Sequence, residues 1–239
     1  MFKISIVIPC FNSKNSIQLL VEEIVKTFKN TDYFLEEIIL VNDNSFDGTL
    51  NLIKKLQSSE NKIIIQNNPV NLGQEKSTLI GIQISKGDYI VTMDDDFQNP
   101  PIAILKLLEV CIKENLDFVS GVWKFDESLL RNISSILGSL FLNITSLIKL
   151  NYRHTSFRVL NKKIKTKVVE EFYDKNFINL PKLTNNYKQI SVEHLNKPIG
   201  REYTSFLKRI KFFNNFVKND TFLYEFMLII GVIILFFCI

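Results

Sequence analysis

Apolar positions in the first ~120 residues switch repeatedly between short unbroken runs and helical spacing. Residues 3–9 are a short run rich in Ile and Val that closes on Pro9 and the polar pair Asn12-Ser13. Residues 16–28 then carry apolar side chains at Ile17, Leu20, Ile24 and Phe28, one face of a helix. The alternation continues. Residues 37–41 predict a second buried strand, 49–56 a helix, 62–66 a third strand and 75–84 a third helix. Residues 89–93 predict a fourth strand, and 102–112 a helix that starts after Pro100-Pro101, where proline suits a first turn. Residues 118–122 predict one more strand. Strands alternating with helices of about ten residues predict an α/β fold, a mostly parallel sheet with helices on both faces. Ligands in such sheets bind beyond the carboxyl ends of the strands. Phe11-Asn12-Ser13, residues 42–47 and residues 94–98 all fall at such ends.

After residue 123 the alternation weakens. Residues 129–150 read as a long amphipathic helix, suited either to a membrane surface or to packing on the sheet. Residues 162–189 are polar and poorly patterned, residues 190–192 predict a strand, and 203–216 a basic amphipathic helix. From Phe222 to Ile239 the chain is apolar, with Glu225 its single charged residue. As a helix at ~1.5 Å per residue this tail spans roughly 27 Å, barely the thickness of the hydrocarbon layer. A transmembrane anchor is expected there, with the chain ending inside it; a buried core helix is the competing reading. The expected division is 1–123 as a nucleotide-binding half, 124–219 as an acceptor-binding half and 220–239 as the anchor.

Composition changes this picture little, and charge changes it in one place. The 239 residues are 46% hydrophobic and 23% charged, the balance of a folded chain. A net charge of +4 is too small to predict a nucleic-acid partner. Its distribution says more, because Lys208, Arg209, Lys211 and Lys218 precede the apolar tail as a cytoplasmic flank precedes a membrane helix. Three widely spaced cysteines imply neither a disulfide framework nor a zinc site.

The chemistry concentrates at Asp94-Asp95-Asp96. Three adjacent carboxylates repel one another unless a positive group lies among them. Here they follow the predicted strand Tyr89-Ile90-Val91-Thr92-Met93 and precede Phe97-Gln98-Asn99. Side chains two apart on an extended strand point the same way, so Asp94 and Asp96 can share a hard cation, Mg²⁺ or Mn²⁺. A solvated acidic loop is the alternative.

With these residues in view, the chain resembles the inverting family-two glycosyltransferases of GT-A fold. It is most similar to bacterial enzymes that glycosylate a polyprenyl phosphate and to dolichol-phosphate mannose synthase. The pieces that carry the resemblance are SIVIPCFN, EIILVNDNSFDGT, NLGQEKSTLIGIQISKGDYIVTMDDDFQNPP, SFRVLNKK and, more loosely, KPIGREY, across roughly residues 4–217. The resemblance implies that Pro9, Phe11 and Asn12 line the base and ribose and that Asp43 accepts from the base, which suits uracil. It places Asp94 and Asp96 in an Asp-x-Asp motif with Asp96 most directly on the metal, Gln98 close by, and Gly73 and Lys76 in the stretch that closes over the donor. Arg131, Ser135 and Lys124 stand where the family binds an acceptor phosphate. Arg158 and, in a loop over the site, Lys197 and Arg201 are further candidate cations. Asp96, Arg131 and Arg158 are the residues expected to carry catalysis.

The chain departs from the family pattern in four places. Ser13 stands where Glu is usual, Asn42 where a second Asp is common, and Asp95 where a small residue is common. No acid precedes the Ser-Phe-Arg piece, since Asn151-Tyr152-Arg153-His154 holds none. A sugar hydroxyl acceptor needs a general base, whereas a phosphate monoester, with a second pKa near ~6, is already ionised at neutral pH. The expected activity is transfer from a nucleotide-sugar, UDP-linked, to an undecaprenyl-type polyprenyl phosphate at the cytoplasmic face of the cell membrane. Transfer to a saccharide hydroxyl and an inactive nucleotide-binding scaffold are the alternatives, and self-association is left open.

Overall fold

The computed structural model describes residues 1–123, 152–172 and 178–193, all within one compact unit, Met1–Arg201. The elements run β1 (Phe2–Cys10), α1 (Ile17–Phe28), β2 (Tyr33–Asn42), α2 (Thr49–Ser59), β3 (Ile63–Asn67), α3 (Gln74–Ile84) and β4 (Tyr89–Thr92). They continue with α4 (Ala103–Lys113), β5 (Phe118–Trp123), β6 (Arg158–Asn161), α5 (Lys162–Phe172), a 3₁₀ turn (Leu180–Lys182) and β7 (Tyr187–Val192). The strands form one sheet in the order β3-β2-β1-β4-β6-β5-β7. β1 pairs parallel with β2 and β4, β2 with β3, and β5 with β7. β6 alone runs antiparallel, between β4 and β5.

The central strands are buried on both faces, which is why they read as unbroken apolar runs. Alternate residues still serve different layers. Ile4, Ile6 and Ile8 of β1 join Ile38 and Leu40 of β2 in a core with α1 and α4, through Leu20, Ile24, Ile104 and Leu108. Val7, Ile39 and Val41 face the other layer with Leu79 and Ile82 of α3 and Ile164, Val168 and Phe172 of α5. Helices thus cover both faces, as the pattern predicts. Asn30 and Asn115 take the left-handed conformation (φ +63° and +49°) just past α1 and α4, a role their short polar side chains tolerate.

Gly81 lets α3 lie against the sheet. A Cβ there would stand 2.3 Å from Val7 Cγ1 and 3.1 Å from Val41 Cγ2, both on fully buried, stiff side chains. Gly81→Ala gains about 1 kcal/mol of helix propensity but overpacks the layer by about 1–3 kcal/mol. We expect a net loss of about 1 kcal/mol, read as a lowered urea midpoint at unchanged m value. A midpoint that rises would show that the layer has room.

Two expectations are corrected. The segment read as poorly patterned from residue 162 begins with the helix α5, whose apolar positions Ile164, Val168 and Phe172 are spaced at four on an otherwise charged sequence. The chain before it, Arg158–Asn161, to which the sequence pattern assigned no element, is a strand. Four residues show no periodicity of their own, and this strand exists because β4 and β5 offer it two free edges. β7 begins at Tyr187, earlier than predicted. The helices expected at 129–150 and 203–216, the anchor at 220–239 and the acceptor half from 124 onward fall wholly or largely outside the described residues. Among the described residues no helix is long and apolar enough to cross a membrane.

Candidate active site

Because β1, β2, β3 and β4 are parallel, their carboxyl ends and the loops that follow lie along one edge of the sheet. These loops are laced together. The N–H of Asn12 donates to Ser45 Oγ (3.0 Å), that of Phe46 to Asn12 Oδ1 (3.1 Å) and that of Ser13 to Thr49 Oγ1 (2.8 Å). Asp47 accepts from the Lys14 N–H (3.1 Å) and from both the N–H and the hydroxyl of Thr49 (2.9 and 2.6 Å). Burial alone would raise the Asp47 pKa, but the Thr49 and Lys14 hydrogen bonds outweigh it and hold the carboxyl below its usual range.

The three aspartates divide by orientation, although β4 ends at Thr92 and Asp95–Phe97 form a bend rather than the extended strand that the sequence suggested. Asp95 is fully buried and turns inward, accepting from the Phe11 N–H (3.2 Å) and from the Ser13 hydroxyl. It ties the acidic cluster to the loop after β1. Asp94 is half-buried and accepts from the Ser156 hydroxyl (2.7 Å) and the Gln74 side-chain amide. Asp96 is 7% exposed and accepts from the Gln98 N–H (3.1 Å), across a turn in which Phe97 is left-handed (φ +64°).

Asp43 is 2% exposed and its carboxylate pins the chain after β3. Oδ1 accepts from Asn68 Nδ2 (3.0 Å) and the Leu72 N–H (2.8 Å), and Oδ2 from the Gly73 N–H (2.8 Å). A donor from a nucleobase would have to share Oδ2 with Gly73. Gly73 itself has φ +87°, a conformation that favours glycine, and it opens α3, whose first turn carries Gln74, Glu75 and Lys76.

The antiparallel direction of β6 brings its first residue to this same edge, opposite Thr92. Arg158 is 3% exposed. Its guanidinium donates to both Glu75 carboxylate oxygens (3.4 and 3.3 Å), to Thr92 Oγ1 (3.4 Å) and to the Ile178 carbonyl (3.4 Å). In this arrangement it joins β4, β6, α3 and the chain at 178. A contact between Arg158 and an acceptor phosphate requires Glu75 to yield the guanidinium. Nearby His154 is held neutral at pH 7, its pKa pushed down to about 4 by burial and then by the Arg158 charge.

The sequence-predicted residues Pro9, Phe11, Asn12, Asp43, Gly73, Lys76, Asp94, Asp96, Gln98 and Arg158 lie at the carboxyl ends of β1 to β4, in the loops that follow them, in the first turn of α3 (Lys76), or where β6 begins (Arg158). Lys124, Arg131, Ser135, Lys197 and Arg201 lie outside the described residues. Sequence reasoning missed Gln74, Glu75, Asn68 and Ser156. Gln74 and Glu75 carried a signal as the neighbours of Gly73 and Lys76 in the NLGQEKS piece, and Ser156 as a neighbour of Arg158 in the Ser-Phe-Arg piece; Asn68 carried none.

The family model for "Glycosyl transferase family 2" matches residues 5–173. The chain belongs to that family. Among family-two relatives it is 29% identical over 215 residues to the undecaprenyl-phosphate 4-deoxy-4-formamido-L-arabinose transferase of Photorhabdus laumondii, covering 87% of this chain and 65% of that one. The enzyme of the same name from Proteus mirabilis is 33% identical over 120 residues, covering 49% and 36%. The chain thus spans between about a third and two thirds of the length of these relatives. Its fold is similar to that of glucosyl-3-phosphoglycerate synthase from Mycobacterium tuberculosis, whose crystal structure contains Mn²⁺, UDP-glucose and phosphoglyceric acid. The TM-score is 0.57 at 16% identity, over 82% of this chain and 73% of that one. This likeness supports the GT-A architecture read from the family-two pattern.

The donor set of this family-two site fits a hard divalent cation. Among the described residues no three His, Cys, Asp or Glu side chains converge as a complete metal site. Two carboxylates, Asp94 and Asp96, are what a Mg²⁺ or Mn²⁺ site needs when substrate phosphates supply further oxygens. The donors to Asp94 from Gln74 and Ser156 are neutral, so they orient the carboxylate without cancelling its charge.

Proposed function

We propose that this glycosyltransferase moves a sugar from a UDP-linked donor to the phosphate of an undecaprenyl-type lipid at the cytoplasmic face of the cell membrane. The observation that carries the donor half is the division of the acidic cluster. Asp95 turns in to brace the loop after β1, leaving Asp94 and Asp96 for the diphosphate end of the donor. The acceptor half rests on the relatives whose names specify undecaprenyl phosphate and on the absence of an acid before Ser156-Phe157-Arg158.

In this reading Pro9, Phe11 and Asn12 border the nucleoside, Asp43 holds the 68–73 loop and Gly73 where the donor passes, and Lys76 and Gln98 flank the diphosphate. The acceptor phosphate is met by Lys124, Arg131 and Ser135, with Lys197 and Arg201 as further cations. One phosphate oxygen attacks the anomeric carbon while the bond from that carbon to the diphosphate breaks on the opposite face, inverting the configuration. The electron pair leaves with the nucleoside diphosphate. No proton need be removed, because the acceptor is already an anion. Asp94 and Asp96 would hold a Mg²⁺ or Mn²⁺ ion, which would supply positive charge against that developing on the leaving group. The apolar tail and its basic flank keep the enzyme at the surface where the lipid headgroup lies.

The test is a transfer assay of the detergent-purified protein with Mg²⁺ or Mn²⁺ and a panel of UDP-sugars. A short polyprenyl phosphate is offered beside an oligosaccharide acceptor. Radiolabel should enter the lipid fraction only. Turnover confined to the oligosaccharide would overturn the lipid-phosphate acceptor.

A further inference from the structure

Phe46 is 83% exposed, on the loop between β2 and α2. A large apolar side chain so placed gains little burial from the fold. Two features separate it from an idle surface residue. Its backbone is fixed, since its N–H donates to Asn12 Oδ1 (3.1 Å), and Asn12 is itself left-handed (φ +56°) and bonded to Ser45. Asp47 next to it is anchored to Lys14 and Thr49. Its ring also stands 5.9 Å from that of Phe11, at 79°. Phe11 is 38% exposed and lies on the loop that Asp95 braces. The two rings therefore make an open right-angled corner, held by hydrogen bonds from below, at the edge of the sheet that carries Asp43 and Asp94.

We propose that Phe46 contacts the nucleobase of the donor and forms with Phe11 an aromatic corner that grips the base. This inference rests on the nucleotide-donor reading above. A planar heterocycle can lie on the face of one ring and meet the second ring edge-on, an arrangement aromatic quadrupoles favour. The position suits a base rather than a lipid surface. Phe46 is flanked by Asn44, Ser45 and Asp47, which carry no positive charge, and a lone ring beside a carboxylate is poorly placed on an anionic membrane. A corner of this kind recognises planarity rather than a hydrogen-bond pattern, so it adds affinity for any nucleoside and leaves selection among bases to polar groups.

The experiment measures equilibrium binding to the full chain in detergent with Mg²⁺, using UDP, ADP, GDP and CDP in turn and inorganic pyrophosphate as the base-free probe. For Phe46→Ala we expect UDP affinity to fall about tenfold, the scale of one base–aromatic contact, with pyrophosphate affinity and Tm unchanged. Phe46→Trp should restore UDP binding. Equal losses for UDP and pyrophosphate would overturn the proposal, assigning Phe46 to loop support. Unchanged UDP binding with weakened adsorption to phosphatidylglycerol vesicles would overturn it in favour of a membrane contact. If the wild-type chain binds pyrophosphate but none of the four nucleotides, the nucleotide-donor reading itself falls, and the role of Phe46 with it.

Discussion

Asp96→Ala should reduce sugar transfer by about a thousandfold or more while leaving the protein folded. Asp96 sits at the carboxyl edge of the sheet, and its bond to the Gln98 N–H is local to one turn. Losing that bond costs on the order of 1 kcal/mol, and removing one of three neighbouring negative charges returns part of it. Tm should therefore move by no more than a few degrees. The catalytic loss is larger because an electrostatic contribution to a departing diphosphate is worth several kcal/mol in a site from which water is excluded. Asp96→Asn keeps an acceptor for Gln98 and should still lose activity. Both variants should also lack the Mn²⁺-dependent rise in Tm that UDP-sugar is expected to give the wild type, a readout independent of turnover. Transfer above about a tenth of the wild-type rate would remove Asp96 from the metal site.

The second large effect is on stability. Arg158→Met should cost about 3 kcal/mol, because Arg158 is 3% exposed and its loss leaves Glu75 with no guanidinium in a site it shares with Thr92 and Ile178. Glu75 is itself a quarter exposed, which keeps the figure at the lower end for a buried pair. Combining Arg158→Met with Glu75→Gln removes both charges and should recover at least about half of the loss in chemical denaturation. No recovery would mean that the ion pair is not what Arg158 contributes. Activity of the double variant separates two roles. Transfer that returns with stability makes Arg158 a positioning residue for α3. Transfer that stays lost makes it the acceptor-phosphate contact that the Ser-Phe-Arg piece suggests.

Much of the fold was legible in the residues. The central strands β1 and β4 are buried on both faces over most of their length, so each is a compact apolar run bounded by polar turns, and α1 and α4 keep 3.6-residue spacing. The site was legible for the same reason. In a parallel sheet every carboxyl end points the same way, so polar clusters after successive strands must meet at one edge. The division of Asp95 from Asp94 and Asp96 was not legible, because the chain leaves the strand at Thr92 and bends at residues 95–97.

What the sequence by itself determined is the α/β alternation, its family, and the placing of Asp43, Asp94 and Asp96 at strand ends. The tertiary structure decided what those carboxylates do. Asp43 holds the chain that leads into α3, Asp95 braces the loop after β1, and Asp94 is bonded to Gln74 and Ser156, residues 20 and 62 positions away. It also decided that Arg158–Asn161 is a strand and that Arg158 turns to Glu75, 83 positions earlier. Local periodicity reflects only which face of an element is buried. Partners separated by tens of residues are chosen by the packing of the whole sheet, and no window along the chain contains that information.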